Sequence, residues 1–246
     1  MNDAGQVRLP YKRIMLKVSG EMLGGSSSVG IATDAMELVA GEIATLYERG
    51  FEVAVVVGGG NIFRGSQAAT LGMERASADY MGMLATCING LALQAALESK
   101  YKVHTRVMTA IHMPELAEPY IRRKAVKHLS SDRIVIFAGG TGNPLFTTDT
   151  AASLRAQEIG AEIILKATKV DGVYDKDPVQ YSDAVRYDHL TYLDVISKQL
   201  QVMDATAITM CMEANLPVKV FRLQDRGSIV DAIYNSEIGT MVSAAG

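Results

Sequence analysis

Four short strings in this sequence carry residues that could do chemistry together. Lys17-Val18-Ser19-Gly20 closes one apolar run, and Gly58-Gly59-Gly60-Asn61 closes a second, with Arg64 close behind. Gly139-Gly140-Thr141-Gly142-Asn143-Pro144 closes a third and leads to Thr147, Thr148 and Asp149. Lys166-Ala167-Thr168-Lys169 closes a fourth and runs into Asp171-Gly172 and the string YDKDP. Glycine lets backbone N–H groups approach an anion closely and tolerates positive φ. A helix beginning after such a loop adds unpaired N–H groups and a favourable dipole, and the lysines and arginine add full charges. The combination fits phosphate. Several separate cationic loops fit more than one phosphate group, and hence phosphoryl transfer, where catalysis is mostly positioning and charge neutralisation. A lone glycine triplet is by default a tight turn; Arg64 and the three similar strings favour the anion.

The standard phosphate fingerprints are absent. No GxxxxGK[ST] string occurs, and Phe63 stands where the dinucleotide fingerprint needs glycine after Gly58-x-Gly60. No HRD or DFG string accompanies a glycine-rich loop, which excludes a protein kinase.

The elements that must position these strings alternate. Apolar runs at Arg13–Gly20, Phe51–Val57, Lys102–Met108, Arg133–Gly140, Glu162–Thr168 and Pro217–Phe221 read as buried strands, with a short final strand near the C-terminus. Helical spacing marks about Asp34–Arg49, with Asp34 and Glu37 resembling a capping box and Gly50 a stop. It also marks about Ala78–Lys100, Pro119–His128, the segment TTDTAASLRAQEIGA ending in Gly160, Ala205–Ala214 and a segment after Gly227. Strands alternating with helices predict an α/β fold with a mainly parallel sheet covered on both faces. In such sheets ligands bind beyond the carboxyl ends of the strands, where all four strings fall. Asp175–Tyr187 is the most polar, loop-like stretch.

A chain of 246 residues can bury a sizeable core as one large α/β domain or two small ones. A net charge of −3 argues against a nucleic-acid footprint. Cys87 and Cys211 sit in apolar helical patterns without a CxxC or Cys/His cluster, which argues against disulfides and zinc. His104, His112, His128 and His189 are scattered without metal spacing. Residues 1–12 lack the apolar core of a signal peptide, and no run approaches the roughly 20 apolar residues of a membrane span. Cytoplasm is the expected compartment, with neither membrane nor nucleic acid as partner.

Five longer strings contain these elements: YKRIMLKVSGEML, VVVGGGNIFRG, DYMGMLATCINGLALQ, AGGTGNPLFTTDTAA and LKATKVDGVYDKDP. In order and spacing the chain closely resembles the bacterial uridylate kinases (UMP kinases) of the amino-acid-kinase superfamily, over essentially its whole length. The resemblance implies the reaction ATP + UMP → ADP + UDP with Mg²⁺ carried by ATP, in pyrimidine nucleotide biosynthesis. It implies a three-layer α/β/α sandwich of about eight strands, in a single domain over residues 1–246. The part to about residue 160 would hold mainly UMP and the oligomer contacts, the part from about 161 mainly ATP. A homohexamer is implied, with UTP as inhibitor at the UMP site and GTP as activator.

Residue by residue, the resemblance makes Lys17, Val18, Ser19 and Gly20 the ATP-phosphate loop, with Lys17 the cation on the transferred group. Gly60 and Arg64 match ATP-phosphate contacts, and Thr168, Tyr174 and Asp177 the adenosine site. Gly59, Asp79 and the stretch Thr141, Gly142, Asn143, Pro144, Leu145, Phe146, Thr147 and Thr148 match UMP contacts. The aligned GTP effector stretch is Gly25, Ser26, Ser27, Ser28, Val29 and Gly30, while Gln94 and Glu98 stand where relatives carry basic or histidine effector contacts.

Physical reasoning adds Asp149 and Lys166 to the catalytic set. Asp149 would repel phosphate, so it would orient Lys17, help hold Mg²⁺ through water, or cap its helix. Lys166 ends a buried strand and needs an anionic partner, of which substrate phosphate is one. Asp204 matches a recurrent family acid with a positioning role. Nothing resembles an activated Ser or Cys nucleophile and no covalent intermediate is required, so direct in-line transfer is the simpler reading. Two rival readings share the fold. One is a phosphotransferase acting on a carboxylate or carbamate, and the other a non-catalytic nucleotide-storage or regulatory relative.

Overall fold

A computed structural model describes residues 10–65 and 72–244. The N-terminal stretch read above lies, up to residue 9, outside them. The first strand, β1 (Arg13–Val18), shows how the fold is dictated. Its residues are almost all buried, but they alternate between two cores: Ile14, Leu16 and Val18 join one and Met15 the other. A strand buried on both faces is the interior strand of a sheet covered by helices on each side.

Among the described residues the sheet has nine strands, two more than the seven apolar runs read from the sequence and close to the eight implied by the resemblance, in the order β4-β3-β5-β2-β1-β6-β10-β11-β9. They are β2 (Glu52–Val57), β3 (Thr105–Thr109), β4 (Glu118–Pro119), β5 (Ile134–Ala138), β6 (Ile163–Thr168), β9 (His189–Thr191), β10 (Val218–Arg222) and β11 (Thr240–Ser243). All neighbours pair in parallel except β10 with β11. The extra strands are the two-residue β4 and the three-residue β9 at the sheet edges, too short to show a hydrophobic period. A separate antiparallel pair, β7 (Val173–Tyr174) with β8 (Arg186–Tyr187), brackets the polar stretch read above as a loop.

One face is covered by α2 (Thr33–Glu48), α3 (Arg75–Lys100) and α8 (Ser228–Tyr234). The other is covered by α4 (Arg122–Leu129), α5 (Thr148–Ile159), α6 (Tyr192–Ser197) and α7 (Ala205–Glu213). Together they form the expected three layers. By length and composition α3 could cross a bilayer, but 44% of its apolar window is buried, and it packs on α2, β3 and β5.

Two local expectations are corrected. Asp34 and Glu37 make no capping box; α2 starts earlier, from Ala32, whose N–H bonds the Leu23 carbonyl at 2.8 Å and holds Ala32 extended. Asp34 instead lies in the first turn, where its charge favours the dipole. Strand β3 begins at Thr105 because Lys102 takes a left-handed φ of 59°.

Helix α8 has no side-chain cap of its own, since Gly227 precedes it. The cap comes from α2: the buried Glu42 carboxylate accepts from Gly227 N at 2.5 Å and Ile229 N at 2.9 Å. Truncating it leaves the buried Ile229 N–H and the part-buried Gly227 N–H without this acceptor. Glu42→Ala is expected to cost about 1–3 kcal/mol, read as a lowered midpoint in urea unfolding; an unchanged midpoint would show that water replaces the carboxylate.

Candidate active site

Strand alternation decides where the two strand lysines point. Lys17 lies two residues after Met15 on β1, and Lys166 two residues after Ile164 on β6, so both face the layer that holds α5. They are direct register partners across the β1–β6 ladder. Like charges so placed need an anion between them. The first turn of α5 supplies it: Asp149 Oδ1 is 2.7 Å from Lys17 Nζ, and Oδ2 is 2.7 Å from Lys166 Nζ. The Lys166 contact is a hydrogen bond. The Lys17 contact is an ion pair without hydrogen-bond alignment.

Burial alone would raise the Asp149 carboxyl, but the two ammonium groups outweigh it and hold the acid below the ordinary range. Lys166 is pushed down, first by burial and then by Lys17, against the pull of Asp149. Asp149 does not cap its helix. Thr147 does, accepting from Asp149 N and Thr150 N. Asp204 in turn accepts from the Thr147 hydroxyl and, at 3.0 Å, from the Thr150 hydroxyl. It also caps α7 through Ala207 N, so one carboxylate joins the starts of two helices.

The glycine loop after β2 is built for close approach. A Cβ on Gly20 would fall 2.7 Å from Gly60 N and 2.8 Å from the Gly58 carbonyl carbon, and one on Gly59 would fall 2.7 Å from the Gly82 carbonyl oxygen of α3. No side chain fits there without displacing backbone. Asn61 and Asn89 lock the loop by reciprocal amide bonds of 3.1 and 2.7 Å. Asn61 Nδ2 also donates to Gly30 O, and Asn89 Nδ2 to Gly58 O. Asn89 had no part in the sequence reading, although an amide on the buried face of an apolar helix was its signal.

Gly59, Gly60, Phe63, Asp79, Phe146, Thr147 and Thr148 are among the residues that line one cavity of about 140 Å³. Thr141, Gly142, Asn143, Pro144 and Leu145 are not among them. They form the loop beside it, held by Thr141 Oγ1 to the Asn143 backbone and by Leu145 N to Asp79 Oδ2 at 2.7 Å. A second cavity of about 620 Å³ includes Tyr174, Asp177, Lys198 and Leu200 in its lining. Thr168 is not in that lining; its hydroxyl turns the chain after β6, bonding Val170 N and O.

Arg64 is not grouped with Lys17. Its Nε donates to Gly60 O at 3.0 Å, and its Nη2 lies 3.1 Å from Glu21 Oε1. Val18 ends β1, and Ser19 precedes the short helix α1 (Gly20–Leu23) without a side-chain capping bond. Gly25–Ser27 is a 3₁₀ turn. The Gly25–Gly30 segment is tied to the glycine loop after β2 by Gly30 N to Asn61 O and by Arg64 Nη2 to Ser28 O. Cys211 is no candidate nucleophile, since burial pushes its thiol up to about 11.

The sequence profile of the Amino acid kinase family matches residues 12–222. The structure is similar to that of UMP kinase from Bacillus anthracis, with TM-score 0.93 and 40% identity over 96% of this chain and 98% of that one. It is similar to UMP kinase from Ureaplasma parvum, with TM-score 0.89 and 39% identity over 96% and 100%. It is also similar to uridylate kinase from Archaeoglobus fulgidus, with TM-score 0.70 and 27% identity over 94% and 99%.

Proposed function

The chain belongs to the amino acid kinase family and is a UMP kinase, and from that premise we propose that Mg·ATP is its phosphoryl donor and that transfer is in line. The reaction moves a phosphoryl group to UMP, a step of pyrimidine nucleotide biosynthesis. The observation that carries the mechanism is the Lys17–Asp149–Lys166 cluster at the carboxyl ends of β1 and β6. Asp149 holds two lysines side by side, and Lys17 neutralises the charge that spreads over the transferred oxygens in the transition state. Lys166 adds charge from the next strand. Backbone N–H groups at Ser19–Gly20 and Gly59–Gly60, beyond the ends of β1 and β2, complete the cradle, the Gly58 N–H being donated to Val18 O. The cavity lined by Gly59, Asp79 and Thr148 takes UMP, and the cavity lined by Tyr174 and Asp177 takes adenosine. The N-terminal part then serves mainly the acceptor and the C-terminal part mainly the donor, with the N-terminal strand ends also meeting the donor's phosphates.

Mg²⁺ enters with the nucleotide. It keeps several waters and needs few protein ligands, which fits a site whose buried carboxylate, Asp149, is already paired to two lysines. When bound it neutralises phosphate oxygens. The enzyme works in the cytoplasm as a homohexamer; the outward apolar side chains Tyr80, Leu84 and Ile88 of α3 support self-association. UTP inhibits from the UMP cavity, and the GTP arm of the assay below reads whether Gly25–Gly30 is an effector site.

The test is ADP release with Mg·ATP against UMP, CMP, AMP and glutamate, with and without GTP. UMP-selective turnover is expected. Turnover of glutamate alone would move the chain to the carboxylate kinases, and ATP binding with no turnover to the storage relatives. Within this assay Asn143→Ala raises KM for UMP about tenfold, the loss of roughly one hydrogen bond to a substrate, and KM for ATP much less. Equal effects on both would take the 141–148 loop out of the acceptor site.

A further inference from the structure

Two carboxylates beside the phosphate loops each hold two cations, and they do so in opposite settings. Asp149 is buried between Lys17 and Lys166. Glu21, the residue after the Lys17–Gly20 string, stands half-exposed between Arg64 and Lys169. Its Oε1 lies 3.1 Å from Arg64 Nη2 and its Oε2 lies 4.0 Å from Lys169 Nζ. The side chains of Glu21 and Arg64 are 41% and 42% exposed and that of Lys169 52%, against 15% for Asp149. The same two cations share a second partner. Arg64 Nη2 donates to Ser28 O at 3.4 Å, and Lys169 Nζ donates to the Ser28 hydroxyl.

Charges this exposed exchange partners cheaply, because an exposed ion pair adds little to stability. A buried pair does not, because breaking it leaves an uncompensated charge. Asp149 is therefore a fixed part of the site. Glu21 is an anion next to the cradle proposed for the nucleotide's phosphates, holding two cations that phosphate would otherwise attract.

We propose that Glu21 is a positioning residue that competes with nucleotide phosphate for Arg64 and Lys169, keeping product ADP weakly held so that it leaves. The inference rests on the ATP placement proposed above. It gives the Gly25–Gly30 segment a role in the same exchange, since Ser28 receives both cations. A polyphosphate that takes Arg64 and Lys169 from Glu21 also takes them from Ser28.

The test is calorimetric titration with ADP, alone and at two salt concentrations, of the wild type and Glu21→Gln. Removing one negative charge near the polyphosphate should tighten ADP binding about three- to tenfold at low salt, with a smaller gain at high salt. In turnover, KM for ATP and kcat should fall together as product release slows. A carboxylate with only a structural role gives weaker or unchanged ADP binding when replaced, and that result overturns the inference. Glu21→Gln in an Arg64→Ala background should gain less than in the wild type; an undiminished gain also overturns it. Tyr174→Ala reads the ATP placement separately: weakened ADP binding supports adenosine in the cavity that Tyr174 lines, and unchanged binding overturns that placement. An enzyme whose ADP binding weakens with Tyr174→Ala but is no tighter with Glu21→Gln loses this inference alone.

Discussion

Lys17→Ala lowers kcat about 10²- to 10³-fold, the usual loss when one preorganised donor to a charge-developing transition state is removed. KM for ATP is expected to change much less, because an interaction that strengthens in the transition state appears mainly in kcat. The geometry points to this split. Lys17 is 7% exposed, held by Asp149, and set beside Lys166 by strand register. It cannot follow the ground-state nucleotide far, so its charge is placed for one position. In the variant Asp149 keeps Lys166 as partner, so the fold retains a paired carboxylate. Lys17→Arg should not rescue, because a planar guanidinium does not replace a compact ammonium in a buried slot. Steady-state ADP release with saturating UMP and ATP measures the effect; a variant that kept its kcat would remove charge neutralisation by Lys17 from the mechanism.

How much of this was readable beforehand depends on whether a feature is local. The strands around Lys17, Val57 and Lys166 are apolar runs ended by glycine or hydroxyl residues, and they form as read. Gly160 ends α5 with a left-handed φ of 68°, as a helix stop does. That Lys166 needed an anion was also legible, from one charge at the end of a buried strand. Which anion was not, because Asp149 reaches it only when α5 packs over β1 and β6. The same holds for Glu42, which caps a helix 185 residues away, and for Glu21, whose partners Arg64 and Lys169 come from two other strand ends. Single acids in a sequence look like solvated surface, and tertiary packing alone selects the ones that pair. Asp204 shows the intermediate case: a positioning acid could be foreseen, but not that it joins Thr147 and Thr150 of α5 to the start of α7.

Asp149→Asn tests whether the buried carboxylate is the keystone of the cluster. The amide has nearly the same shape but no charge, so it leaves two ammonium groups buried side by side. Breaking a buried pair in this way costs about 3–5 kcal/mol. The pH dependence separates this from ordinary packing loss. The folded-state pKa of Asp149 is depressed, so its contribution is present above the unfolded carboxylate pKa and is lost as pH falls through the folded value. Wild type and variant should therefore converge in acid, where both carry a neutral group at 149. Lys166 is also depressed, by burial and Lys17, so its folded form releases a proton before the unfolded chain does, and folding strengthens as pH rises toward the ordinary lysine value. Without Asp149 that release comes earlier still, and the variant recovers part of its stability in alkali. The difference in unfolding free energy between the two proteins should thus be greatest near neutral pH and shrink on both sides, measured by urea unfolding across pH. A difference that stayed flat with pH would mean that position 149 contributes shape and hydrogen bonding, with no net charge coupling to Lys17 and Lys166.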